Sequence, residues 1–110
     1  MATAYKILGQ SAPSSTSNVD LYTVPSSTST IVSTIAVTNT TATAAQATIY
    51  LRKAAAAAST TNAFVYTQLV PAYGTVTYTN GITLATTDVV TIATATANAL
   101  TFQAFGSELS

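Results

Sequence analysis

The chain contains no histidine, no cysteine and no tryptophan. Its only charged side chains are Lys6, Arg52, Lys53, Asp20, Asp88 and Glu108, six in 110 residues. An ordinary soluble domain is about one-quarter charged; here the share is 5%. A zinc or iron site needs clustered His, Cys or carboxylate ligands, and here three dispersed carboxylates would be the whole donor set. General acid–base catalysis needs titratable groups set close together with matched pKa values, and nothing in the spacing of these carboxylates marks a pair. The composition predicts a protein that is not an enzyme, carries no cofactor, and works by binding or building.

Three basic residues are too few for the multiple phosphate contacts that drive nucleic-acid affinity. No run of about 20 apolar residues is present to form a membrane-spanning helix. The opening segment MATAYKILGQ lacks a basic stretch followed by an apolar core, so it does not read as a signal peptide. A chain released by cell lysis would need no such signal, and a mature chain whose signal had been removed is the competing explanation. With no cysteine, no disulfide staples the fold.

The net charge is zero. A compact monomer of 11.2 kDa would expose roughly 5,700 Å², so its charges would be thinly spread. Such a surface repels copies of itself weakly and favours association. A homo-oligomer inside a larger assembly is the expectation.

What the chain does contain is hydrophobic alternation with period two. Over 31–39, Ile31, Ile35 and Val37 share one phase, and Val32, Thr34 and Thr38 the other. Ala47, Ile49 and Leu51 alternate with Thr48, Tyr50 and Arg52. Leu100, Phe102 and Ala104 alternate with Thr101, Gln103 and Phe105. Strand side chains point alternately to opposite faces, so each run reads as a half-buried strand. Ile35, Val37, Ile49 and Leu51 are expected to face the core, and Thr34 and Thr48 the solvent.

Strands are expected near 4–10, 19–24, 31–39, 46–52, 63–69, 75–79, 82–84, 88–94 and 99–106. Pro13, Pro25 and the segment Pro71–Gly74 separate them. Asn80-Gly81 is a hairpin signal, because a type I′ turn needs positive φ at both central residues. Eight or nine short strands at this spacing predict an all-β chain, a single-domain β-sandwich of jelly-roll or Greek-key type over residues 1–110.

Two segments break the pattern. Lys53–Asn62, with Ala54–Ala58 at its centre, is too short for an independent helix; it reads as a long loop with at most one helical turn, either functional or disordered. In 63–69, Ala63, Val65 and Leu69 make one apolar face, and Phe64 and Tyr66 make the other apolar too. A strand apolar on both faces is covered on both, here by a neighbouring subunit or by the alanine loop.

Phe64 and Tyr66 are therefore candidate partner-interface residues. Arg52 and Lys53, at the end of a strand beside the loop, are candidate rim charges that would steer association, or simply a solvated pair. Asp88 reads as a turn aspartate bonding nearby backbone amides. Gly9 and Gly106 stand alone and make no phosphate-binding loop. The six tyrosines suit either carbohydrate binding or packing at protein surfaces. The Thr-x-Thr pairs show no fixed repeat, which a threonine ladder for ice binding would need.

Four segments, YKILGQ at 5–10, LYTVP at 21–25, GITLATTDVV at 81–90 and FQAFGSEL at 102–109, resemble small virion structural proteins of tailed bacteriophages, cyanophages in particular. The resemblance runs from end to end and implies a compact β-sandwich located in the virion, with no catalytic residues. Within that class the expected role is capsid decoration, a cement protein bridging copies of the major capsid protein. A trimer would suit the local three-fold positions of a capsid. A neck, tail or fibre component is the alternative in the same class; a carbohydrate-binding or adhesive module is the alternative outside it.

Overall fold

A computed structural model describes residues 2–110, and Met1 lies outside them. The alternating runs form nine strands: β1 (Thr3–Ser11), β2 (Val19–Thr23), β3 (Ser29–Asn39), β4 (Ala45–Arg52), β5 (Ala63–Val70), β6 (Thr75–Tyr78), β7 (Ile82–Leu84), β8 (Val89–Thr94) and β9 (Leu100–Leu109). Between β4 and β5 lie two single 3-10 turns, Lys53–Ala55 and Thr60–Asn62. The described residues expose 5570 Å², close to the value expected for a compact chain of this mass.

All pairings are antiparallel, in two sheets. One has the order β1-β9-β3-β6, with β7 also on β3; the other has the order β2-β8-β4-β5. The Asn80-Gly81 hairpin is not formed. β6 and β7 do not pair with each other; both run beside β3, with Tyr78 opposite Ile35 and Ile82 opposite Val32. They are two halves of one outer strand. Thr79, Asn80 and Gly81 stand opposite two residues of β3, and Gly81 takes up the extra length at φ +69°. A turn signal here serves as a bulge because β3 is long enough to hold both halves.

With β6 and β7 counted as one strand, each sheet has four. The chain changes sheet at every connection except β4–β5, which is the order of a jelly roll. Between the sheets pack Val32, Ile35, Val37, Phe102 and Ala104 from one layer, and Leu21, Ala47, Ile49, Val90 and Ile92 from the other. Phe102, Ile35 and Ile49 are fully buried, and each such side chain contributes roughly 1.5–3 kcal/mol relative to exposure.

Ile35, Val37 and Ile49 face inward as expected, and Leu51 packs half-buried against the core. Two other facings are reversed and one outward residue is covered, each beside a bulge. In β3 the pairing with β9 shifts between Val32 and Thr34, so Val32 is buried and Ile31 faces solvent. In β4 the pairing with β5 shifts between Ala47 and Ile49. There the extra residue belongs to β5: Thr48 keeps its outward phase between the buried Ala47 and Ile49 but is itself covered, its Oγ1 accepting the Thr67 amide at 3.1 Å. In β5, Thr67 adopts φ 51° and Leu69 turns outward. A bulge adds one residue to one strand and resets the alternation beyond it.

Two glycines sit where backbones approach closely beside such bulges. A Cβ on Gly106 would lie 1.9 Å from the Ile31 carbonyl oxygen, and one on Gly9 would lie 2.2 Å from that of Leu21.

Candidate interaction surface

The four residues singled out on sequence grounds go to different tasks. Arg52 spends its donors within the chain. Its Nη1 reaches Asp20 Oδ1 and Thr91 Oγ1, both at 3.1 Å, while Nε and Nη2 donate to the carbonyls of Ala56 and Ala55. Asp88 accepts the Ala85 amide at 2.9 Å, as a turn aspartate should, and also the Ala54 amide at 2.8 Å. Together they hold the alanine loop in place, with Ala54 and Ala55 both at positive φ. Lys53 is exposed at the start of that loop.

Phe64 is half-buried. Its ring meets Tyr78 edge-on, centroids 5.9 Å apart at 70°, and closes the gap between the outer strands β5 and β6. Tyr66 stays 59% exposed. The positive φ at Thr67 kinks β5 just beyond them.

A larger apolar surface lies on the outer face of the β1-β9-β3 sheet. The register aligns Tyr5, Ser107 and Ile31 in one row across the three strands, and Ile7, Phe105 and Thr34 in the next. Tyr5 is 85% exposed, Ile7 53% and Ile31 43%. These residues and Phe105 wall a hollow of about 540 Å³ lined also by the small residues Gly106 and Ser107. A second hollow of about 420 Å³ starts beyond Ile31 and runs to Leu84 and Leu109. The outer face of the other sheet is polar at the corresponding level, where Asp20, Thr91 and Arg52 bond to one another.

Sequence reasoning missed this surface, although a signal for it existed. Ile7-Leu8, Ile31-Val32 and Ala104-Phe105 are adjacent apolar pairs on three neighbouring strands, β1 and β3 each pairing with β9. Each pair puts one side chain on either face, as 63–66 was expected to do.

Beneath the hollow, on the inner side of the same sheet, the Lys6 ammonium meets Glu108 Oε1 at 2.7 Å. Tyr22 donates its hydroxyl hydrogen to Glu108 Oε2 and lies 2.8 Å from the Thr30 hydroxyl. The hydrogen bonds from Lys6 and Tyr22 hold the Glu108 carboxyl below its ordinary range. Burial, reinforced by Glu108, pushes the Tyr22 phenol up to about 12. The carboxyl is thus fixed as an anion and the phenol as a neutral donor at ordinary pH. Neither is poised to exchange a proton in a reaction near neutrality, and the cluster instead ties β1, β2, β3 and β9 together. Among the described residues no three of His, Cys, Asp or Glu come together as a metal site, and no helix is long and apolar enough to cross a membrane.

The fold and surface define a small jelly-roll sandwich with one apolar outer face. The chain matches no protein-family model, no curated protein and no solved structure.

Proposed function

We propose that this protein is a structural component of a tailed-phage virion, a decoration (cement) protein that docks on the assembled head and bridges neighbouring major capsid subunits. The observation that carries the reading is the apolar hollow of Tyr5, Ile7, Ile31 and Phe105 on a surface almost without charge. Contiguous exposed apolar surface rimmed by polar groups marks an interaction site. Jelly rolls serve in capsid proteins, and also in lectins and cupins, so the fold leaves room for the reading without selecting it. A sequence with no histidine, no cysteine and three carboxylates weighs toward a structural role over a catalytic one. Docking by apolar burial is insensitive to salt and becomes strong when repeated over a lattice.

Quantification of the protein in purified particles tests the proposal. Hundreds of copies per head, released without loss of the shell, are expected. A dozen or fewer would place it at the neck or in fibres, and absence from particles would end the virion reading. Adding Ile31→Asp protein to undecorated heads separates face from fold: the variant should fold normally and fail to bind.

A further inference from the structure

The two sheets have four outer strands: β1 and the β6/β7 strand in one, β2 and β5 in the other. An outer strand offers unpaired backbone N–H and C=O groups to any extended chain beside it, and proteins blunt such edges by shortness, charge, bulges or kinks. Three of the four are blunted. β6 and β7 have four and three residues, with a break between them. β2 has five residues, bears Asp20, and shifts register just after it. β5 is kinked at Thr67 and twice loses register with β4.

β1 differs. Over Thr3–Ile7 it pairs with β9 without a shift, and the reciprocal backbone bonds of Ala2 and Ser110 extend that ladder. All five of these residues are exposed. Its one charge, Lys6, is already matched by Glu108 of the same chain, so it guards the edge poorly.

We propose that a second copy of this chain pairs with β1 edge to edge about a two-fold axis, joining the two larger sheets into one. The pairing goes beyond the virion reading and stands without it. The edge is self-complementary, which selects another copy over a foreign strand. Antiparallel pairing centred on Tyr5 sets Tyr5 against its own copy, Thr3 against Ile7, and Ala4 against Lys6. Aromatic and β-branched side chains then meet on the outward face, and no like charges stand opposed. Centring on Lys6 would oppose two ammonium groups, and centring on Ile7 would run into the bulge at Leu8. Zero net charge lets the copies approach without long-range repulsion. The joined sheet has about eight strands, within the usual range. Both apolar hollows come to lie on the same face of it, so one pair offers two docking surfaces side by side.

The test uses the whole chain. Because it has no cysteine, Tyr5→Cys, Tyr66→Cys and Tyr73→Cys each carry a single thiol at an exposed site. Directly opposed strand residues have Cβ atoms about 4.5–5.5 Å apart, near enough for a disulfide after slight adjustment. Under mild oxidation Tyr5→Cys should form covalent dimers at least about tenfold faster than the other two, an approach that two-fold pairing alone supplies. Sedimentation from micromolar to sub-millimolar concentration should show wild-type dimers of twice 11.2 kDa. Tyr5→Lys should weaken them at least about tenfold, that is by 1.4 kcal/mol or more, with an unchanged urea midpoint. A monomer at every concentration, equal oxidation rates at the three sites, or a dimer indifferent to Tyr5→Lys would each overturn the proposal. Dimers without any presence in particles would leave it intact and remove the virion reading instead.

Discussion

The Ser33 hydroxyl donates to the Phe105 carbonyl oxygen at 3.1 Å, at the point where β3 carries one residue more than β9. That extra residue decides which side chains of β3 reach solvent. Before it, Ile31 points outward and Val32 inward; after it, Ile35 and Val37 point inward. The apolar hollow exists because the alternation is reset there.

Two isoleucines of one strand should therefore respond differently. Ile35→Ala leaves a cavity in the core and should cost on the order of 2–5 kcal/mol. Ile31→Ala should change stability by no more than about 0.5 kcal/mol, as an exposed site does. Urea denaturation of the two variants checks the facing directly. Equal losses would place Ile31 in the core.

Gly106 and Gly81 make a second contrast. A methyl group at Gly106 would collide with the Ile31 carbonyl at 1.9 Å, so Gly106→Ala has to pull β9 from β3. Such a change belongs among the severe ones, about 4 kcal/mol or more. At Gly81 a methyl group meets nothing within 4 Å, and the cost is the left-handed backbone alone, roughly 1–2 kcal/mol. Thermal unfolding of both variants ranks them.

The Tyr22–Glu108–Lys6 cluster predicts losses of stability at both ends of the pH scale. Glu108 has its pKa lowered on folding, so its contribution is complete above the ordinary carboxylate pKa and disappears as pH falls through the lowered value. Tyr22 has its pKa raised to about 12, so the unfolded chain ionises first. Stability is unaffected by Tyr22 below pH 10 and declines as pH rises from there toward 12. In urea midpoints measured against pH, Glu108→Gln should flatten the acid limb and Tyr22→Phe the alkaline one.

Tyr78 should behave unlike most core tyrosines. Its hydroxyl is buried with no hydrogen-bond partner, and burial raises its pKa. An unsatisfied buried hydroxyl costs about 1–3 kcal/mol, while the ring earns its place against Phe64. Tyr78→Phe keeps the ring and should raise the melting temperature; Tyr78→Ala should lower it. A fall in melting temperature for Tyr78→Phe would mean that the hydroxyl is bonded in solution.

Strand positions were legible because proline, glycine and hydroxyl-rich stretches punctuate them; β7 at 82–84 and the start of β5 at Ala63 fall where the sequence puts them. The two-layer sandwich was legible for the same reason. Facing was less so, since the bulges at Ser33 and Thr67 leave no composition signal: a serine or threonine in a strand looks the same whether or not it is the extra residue. Asn80-Gly81 shows the converse. The local chemistry of a turn is there, yet whether the chain reverses depends on β3, far earlier in the chain. Phe64 was marked for cover by a neighbouring subunit or the alanine loop; within the chain it packs on Tyr78 from the facing sheet's outer strand, a contact that period and propensity do not encode. The loop's order rests on Arg52 and Asp88, whose long reach to backbone groups is equally invisible in the sequence.

The break at Thr79–Gly81 has a consequence for crowded conditions. A sheet with two open sides can lengthen without limit and ends as a filament. Here one side of the larger sheet is interrupted after four residues, so growth from it cannot keep step with the strand spacing. Any sheet-to-sheet joining through the opposite side uses up the last regular border and stops. A protein nearly devoid of charge would otherwise have little to prevent fibres at high concentration; this one carries the termination in its backbone.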